Sequence, residues 1–512
     1  MKTSREDGQR TGRPDEPPLS VLLHFFDCLN EQKIRYCQWK STGSLPRALR
    51  GKTDFDLLVD REHAQRFRNA LTGCDFRPAV SHARRQFPAI EDYLGFDRRT
   101  GRLAHLHLHY QLVMGQEFVK NYYLPLERAF LENTQWCGSV RVPPPELEII
   151  VLVLRALVKY RDRDIVRDVL RLGATGGLPQ TTLDEIRHLR TLTTDEQILC
   201  AVERHVPFVA PELVDEFLDT VQHAPRSGST LYRLRRSVRD ELKPYRRFGA
   251  WGETRTYWKA MLEQMPPLNR FSREERRKIP TSGGLTLAFV GADGAGKSTV
   301  VQELARWLGW RLNVQTLYMG TTRPSAATKI ARAIATIAAI PHAASRRAFG
   351  KQNPLTQLTG ELEQWSVYAR CLSEGRDRYN RYCVGRRKAA RGNIVIFDRY
   401  PLQHVLISGR SMDGPRIASM NSGHPRGITK KTAAIEERMY KRILPPDQLF
   451  VLQVSAAVSQ ARKPDHDHER IQAKSRALAE LQDADQSVVS IDAGQPLEDV
   501  LLQIKTKVWS LI

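Results

Sequence analysis

The sequence predicts an α/β protein in three parts: an α+β domain at 18–140, a helical region at 141–271, and a doubly wound parallel-sheet domain at 285–512. Three observations carry this. From Leu285 onward, apolar β-branched runs alternate with helical patterns. The first of these runs ends in Gly291-Ala-Asp-Gly-Ala-Gly296-Lys297-Ser298, a complete G-x-x-x-x-G-K-S loop that leads into an apolar helical repeat. Between Pro143 and Phe271 the pattern is almost wholly helical. At 512 residues the chain is also too long for one ordinary core.

In chain order, residues 1–17 are polar, lack the apolar segment of a secretory signal and read as a disordered lead-in. Within 18–140, helical and alternating patterns mix, with strands expected at Phe55–Val59 and Leu103–Tyr110. The stretch ELEIIVLVLRALVKY (146–160) is apolar on most faces, which predicts a buried helix. Polar breaks near Thr193–Asp195 and Pro225–Ser229 separate further helices. The charged run at 269–282 meets Gly283-Gly284, and 272–284 is read as a linker. The last domain should carry strands at Leu285–Val290, Val314–Met319, Ile394–Phe397, Leu449–Val454 and Val488–Ile491, joined by crossover helices. Ligands of such sheets lie beyond the carboxyl ends of the strands. The Ala- and Ile-rich segment Ile330–Ile340 is expected to pack on its own domain, with lipid contact as the alternative.

Composition narrows the function classes. A charged fraction of 27% and a hydrophobic fraction of 41% suit a soluble globular protein. The net charge of +22, from 79 basic and 57 acidic residues, favours polyanionic partners: nucleotides, nucleic acid or an anionic membrane surface. Seven scattered cysteines without C-x-x-C spacing suggest neither a disulfide framework nor a cysteine zinc site, so a cytoplasmic location is expected. No run approaches the ~18 apolar residues of a transmembrane segment.

The loop residues Gly291, Asp293, Gly294, Ala295, Gly296, Lys297, Ser298 and Thr299 form the expected triphosphate site. Glycines let backbone N–H groups turn toward phosphate oxygens, Lys297 reaches the β/γ-phosphates and Ser298 holds Mg²⁺. Asp398 ends the apolar run NIVIFD and can orient the same ion, while Arg399 can clamp a phosphate. The loop centre holds no cation besides Lys297. Arg462, Lys463 and Arg470, in ARKPDHDHER, are therefore expected to supply charge from a mobile lid, with a solvated helix start as the rival reading. Asp492, in the turn after Val488–Ile491, is placed beside the adenine.

In that order, FVGADGAGKST, FDRY (397–400), PPDQLFVLQV, RKPDHDHER and IDA (491–493) resemble the thymidylate kinase-like P-loop kinases over about 283–512. The resemblance implies ATP and Mg²⁺ as cofactors. It also implies that Asp293 lies near the acceptor sugar, that Arg399 holds the acceptor phosphate and that a lid arginine serves catalysis. The sequence departs from that pattern at Met319-Gly-Thr-Thr-Arg323-Pro324, where Arg323 stands in for the arginine of an Arg-Glu-Pro segment but no glutamate precedes the proline. It departs again at PLQHVLISGRSMDGPRI, which replaces the base-reading set. Asp413 and Arg416 in that stretch either contact the acceptor or shape a turn. Arg370 begins the basic, tyrosine-rich 368–392, where acceptor binding competes with a nucleic-acid patch.

In the amino-terminal domain Asp54 and Asp56 lie on one face of a strand, a D-x-D pair able to hold a divalent metal. With Lys40-Ser-Thr-Gly-Ser44 upstream, this resembles the nucleotidyltransferase pattern. Such folds add a third acid from a later strand. The corresponding LAHLHLHY has none, and His107 or His109 is its possible replacement, better suited to Mn²⁺ or Zn²⁺ than to Mg²⁺. The combined expectation is an ATP-dependent phosphotransferase acting on a nucleoside monophosphate or related phosphorylated small molecule, with a nucleotidyltransferase-like domain of open activity. The alternative is a nucleotide-gated regulatory protein with a nucleic-acid or other polyanionic partner. A homodimer stays open.

Overall fold

The computed structural model describes residues 16–81, 86–116, 119–160, 178–223, 228–262, 277–407, 410–421, 425–455, 457–458, 462, 468–479 and 487–512. The chain divides into two compact units, Met1–Arg276 and Arg277–Ile512.

In the first unit, helix α1 (Ser20–Glu31) buries Leu22, Phe25, Phe26 and Leu29, the spacing of one helical face. Phe25 and Phe26 meet the rings of Phe67, Phe76, Tyr36 and Phe55 at centroid distances of 4.9–5.7 Å. Five strands pair beside it: β1 (Tyr36–Gln38), β2 (Phe55–Val59), β3 (Phe76–Val80), β4 (Ile90–Asp97) and β5 (Arg102–His109), in the order β1-β2-β5-β4-β3. β2 and β5 are parallel, and the other neighbours are antiparallel. Helix α2 (Pro145–Lys159) has residues buried on every side. It shares one apolar core with Cys37, Trp39 and Leu58 of the sheet region and with the helices Gln180–Arg190, Asp195–His205, Pro211–His223 and Gly228–Glu241. The break at Thr194 is a capping box: its side chain accepts from Gln197 N–H, and Gln197 returns a bond to the Thr194 N–H.

The second unit is built on five parallel strands: β6 (Leu285–Gly291), β7 (Val314–Tyr318), β8 (Ile394–Asp398), β9 (Gln448–Gln453) and β10 (Val488–Asp492). Their order is β7-β8-β6-β9-β10. All five runs expected as strands are strands. Because every strand is parallel, Gly291, Asp398, Gln453 and Asp492 end at one edge; the register pairs Phe289 with Asp398, Gly291 with Leu452, and Gln453 with Asp492. Helix α3 (Lys297–Leu308) follows β6 directly and buries Val300, Val301, Leu304 and Leu308.

Helices α4 (Ala326–Phe349) and α5 (Pro354–Ala389) pack along one another. Their contact uses small groups: a Cβ at Gly360 would meet the His342 ring at 2.9 Å, and Ser345 Oγ lies 2.9 Å from Thr359 Oγ1. The isoleucines of the segment Ile330–Ile340 do not pack on the domain as expected. Ile330, Ile334, Ile337 and Ile340 are 53–65% exposed, because the small residues of α4 occupy the contact face. Helices α6 (Gly427–Lys441), α7 (His468–Ala479) and α8 (Leu497–Leu511) complete the described unit, together with a hairpin pairing Leu402–Ile407 with Arg410–Met412. Among the described residues no helix is long and apolar enough to cross a membrane. All seven cysteines are free.

Candidate functional site

The glycine loop closes the carboxyl end of β6. Gly294 and Gly296 have φ of 91° and 80°, the left-handed region that favours glycine. Gly291 is needed for a different reason: a Cβ there would lie 2.6 Å from the Leu452 carbonyl oxygen. Ala295 is buried, whereas Ser298 and Thr299 are exposed at the start of α3, where N–H groups have no intrahelical acceptor. Lys297 is 6% exposed, and its Nζ donates to the carbonyls of Gly291 (3.0 Å) and Ala292 (2.6 Å). Burial, reinforced by the charge of Lys474, lowers its pKa to about 8.

Opposite the loop, Ser298 Oγ donates to Asp398 Oδ2 at 3.2 Å. Asp398 is 9% exposed, and its second oxygen, Oδ1, is buried without a partner among the described residues. A hydroxyl and an orphaned carboxylate oxygen side by side are the donor set a hard divalent cation takes, so these residues fit Mg²⁺. Arg399 follows with φ of 62°, a conformation that costs energy for any residue with a Cβ. Its backbone N–H reaches Phe289 O at 3.1 Å, and its Nη1 lies 3.3 Å from Asp293 Oδ1. The turn aims the guanidinium back toward the glycine loop, with Nε buried and without a partner among the described residues. Lys297, Ser298, Asp398, Arg399 and Asp293 are thus brought together.

Of the expected lid, Arg462 Nη1 donates to the Ala493 carbonyl at 3.3 Å, beside the turn in which Asp492 Oδ1 accepts from Gly494 N–H at 2.8 Å. Lys463 and the Arg470 side chain lie outside the described residues. Lys474, which sequence reasoning missed, is close enough to Lys297 to disfavour its charge. The available signal was its position four residues after Arg470, on the same helical face.

Two of the residues assigned to the acceptor, Arg416 and Asp413, sit in a separate network. Arg416 pairs with Glu374, which also receives Arg332 Nε (3.0 Å) and Nη2 (2.7 Å). Glu436 accepts the backbone N–H groups of Arg416 and Ile417 at 2.9 and 2.8 Å. Asp413, at φ of 55°, lies 3.6 Å from Arg378 Nη2. Arg378 itself was missed: it is 3% exposed, bonds Met319 O at 2.9 Å and touches the Tyr440 hydroxyl. Arg370 keeps a buried Nε without a partner among the described residues. Arg323 is exposed, with its guanidinium 5.8 Å from the Tyr318 ring centroid.

In the first unit, Asp54 and Asp56 face the histidines of β5. His105 Nδ1 lies 3.0 Å from Asp54 Oδ1, and Lys40 Nζ lies 2.8 Å from Asp56 Oδ1. Burial opposes the charge on Asp56, but Lys40 and the neighbouring histidines outweigh it and hold the carboxyl well below its ordinary range. The Thr42–Ser44 turn is tied to α2 by Thr42 N–H, which donates to Glu148 Oε1 at 2.7 Å. A further acid does reach the cluster, but from β4: Asp92, 8% exposed, contacts His105 Nε2 (3.1 Å) and His107 Nδ1 (2.7 Å).

No family model matches the chain. It is similar to two proteins of Escherichia coli strain K12, each described as an uncharacterized ATP-binding protein. YghR is 27% identical over 233 residues, covering 43% of this chain and 86% of that protein. YghS is 26% identical over 222 residues, covering 42% of this chain and 88% of that protein.

Proposed function

We propose that the second unit is an ATP-dependent phosphotransferase of thymidylate kinase-like design. It would move the γ-phosphate of ATP to a nucleoside monophosphate or a related phosphorylated small molecule. The observation that carries this reading is the pairing of Ser298 Oγ with Asp398 Oδ2 at 3.2 Å, at the mouth of a glycine loop whose φ angles suit phosphate wrapping. The ATP-binding description of both relatives supports the nucleotide half, and their matched length is close to that of this unit.

In this reading the loop amides and the N-terminus of α3 hold the triphosphate. Ser298 and Asp398 hold Mg²⁺, which when bound neutralises charge on the phosphates. Lys297 turns from its two loop carbonyls to the β/γ-phosphates, and Arg399 takes the acceptor phosphate beside Asp293. Arg462 and Lys474 close over the transferring group, and the Glu374–Arg416–Arg378 network shapes the acceptor side. The attack is in line, with the acceptor phosphate oxygen bonding to Pγ as the bond to the ADP oxygen breaks.

The test is ATP consumption screened over nucleoside monophosphates and sugar phosphates, with wild type and Lys297→Ala. Turnover with at least one acceptor, lost in the variant, supports the reading. Equal turnover by both proteins refutes it. Tight, salt-sensitive nucleic-acid binding without turnover would favour the regulatory alternative.

For the first unit we propose a degenerate nucleotidyltransferase-like site, since Asp54 and Asp56 are engaged by His105 and Lys40 and β5 carries no carboxylate. Nucleotide incorporation by wild type but not by Asp54→Asn/Asp56→Asn would show it to be active instead. The exposed isoleucine stripe of α4 supports a homodimer, and the free cysteines suit the cytoplasm.

A further inference from the structure

The sheet of the first unit carries a side-chain cluster that phosphoryl transfer leaves unused. Strand register aligns Asp56 with His107 across β2 and β5, and His107 with Asp92 across β5 and β4. Residues opposed across neighbouring strands share a sheet face. Asp56, His107 and Asp92 therefore form one transverse row, and His109 stands two residues along β5 on the same face. One ligand atom from each of Asp56, His107 and His109 lies within 4.8 Å of the other two.

Two observations separate this cluster from an ordinary polar sheet face. His109 is 1% exposed; its Nε2 lies 3.7 Å from Asp56 Oδ1, beyond hydrogen-bond length, and among the described residues neither ring nitrogen has a hydrogen-bond partner. Buried polar atoms without partners are unfavourable, and a bound cation would satisfy the lone-pair nitrogen of this ring. The second observation is Asp92. It accepts from His107 Nδ1 at 2.7 Å, which leaves the lone pair of that ring on Nε2. A carboxylate behind one imidazole nitrogen is the arrangement that orients a metal-ligating histidine. Asp92 is in turn held by Ser81 Oγ at 3.1 Å and His105 Nε2 at 3.1 Å.

We propose that Asp56, His107 and His109 bind one divalent transition-metal ion, with Asp92 as the positioning residue for His107. Two imidazoles and one carboxylate select Zn²⁺, Mn²⁺ or Fe²⁺ over Mg²⁺, which prefers oxygen ligands. Asp54 lies outside this cluster, with its Oδ1 3.0 Å from His105 Nδ1. Three protein ligands leave coordination positions for water or an anionic group. Lys40 Nζ, 2.8 Å from Asp56 Oδ1, competes with the ion for that carboxylate. The site is independent of the phosphotransferase reading, since it lies in the other unit.

The test uses the full chain, stripped with chelator and titrated with Zn²⁺ by calorimetry in excess Mg²⁺ without nucleotide. Zinc K-edge absorption is then measured on the loaded wild type. One equivalent per chain is expected, with nitrogen and oxygen but no sulfur ligation, and unchanged in Lys297→Ala. Asp92→Asn should weaken binding roughly 10–100-fold, and His109→Leu should weaken it further. Lys40→Met should tighten it, a result that a purely structural ion pair cannot give. Circular dichroism checks that each variant folds, and the absorption spectrum of wild type decides if one does not. Absence of stoichiometric binding, sulfur ligation through the cysteines, displacement by Mg²⁺, or unchanged affinity in folded Asp92→Asn and His109→Leu would each overturn the proposal.

Discussion

Replacing Lys297 with methionine should raise stability while removing the use of ATP. The ammonium is 6% exposed and rests on two loop carbonyls. Burial, with Lys474 nearby, moves its pKa from 10.5 to about 8. At neutral pH that displacement corresponds to about 3 kcal/mol of disfavour for the charged form, at about 1.4 kcal/mol per pH unit. Methionine keeps the length and apolar stem without the charge, but it leaves the carbonyls of Gly291 and Ala292 without that donor, at about 1 kcal/mol. The net gain is about 1–2 kcal/mol. For a unit of this size each kcal/mol moves the melting temperature by about 2–4 °C, so calorimetry without nucleotide should show a rise of roughly 2–8 °C. Wild type at Mg²⁺·ATP one hundred times above Kd should gain about 2.7 kcal/mol, and the variant should lose most of that protection. Turnover should fall at least ~100-fold, the scale of one lost transition-state charge contact. A variant that melts lower than wild type and still turns over ATP would refute both the strained-lysine argument and the site.

Four further outcomes follow from the same geometry. Phosphate oxygens raise the Lys297 pKa again, so ATP binding should take up a proton at about pH 8 and above, and affinity measured by titration should fall by up to about tenfold per pH unit between pH 8 and 10.5. Gly291→Ala forces a Cβ to 2.6 Å from Leu452 O and should cost about 1–3 kcal/mol in denaturant unfolding, with loss of ATP protection. At Glu374 burial pushes the carboxyl up, but Arg416 and Arg332 together pull it below its ordinary value; its stabilising contribution is therefore present above about pH 4.5 and lost as pH falls through the lowered value. Glu374→Gln should cost about 2–4 kcal/mol at neutral pH and flatten that acid limb, while leaving ATP affinity within about threefold. Ile334→Asp with Ile337→Asp should convert a dimer to a monomer by light scattering without changing the melting temperature of the monomer, since both side chains face solvent.

The sequence by itself determined the parts whose chemistry is contiguous. A glycine loop between a strand and a helix is a local object, and so is an acid at the end of an apolar run; Gly291–Ser298 and Asp398 could be named from their neighbours alone. Period-two alternation likewise put His105, His107 and His109 on one face. What only the tertiary structure decided are the pairings across chain distance. Ser298 and Asp398 are one hundred residues apart and meet because parallel strands end at one edge. Asp92 was invisible because β4 is buried on both faces, which erases the alternation that marks a strand, and its partner His107 lies across a turn on an antiparallel neighbour. Arg378 and Glu374 read as part of a solvated basic helix, since a charge count along α5 does not say which face is covered; packing covered theirs and left the apolar residues of α4 in water. The physical reason is the same in each case: local pattern reports what a segment can bury, while the partner that satisfies a buried charge or ring nitrogen is chosen by the register of strands and the contact faces of helices.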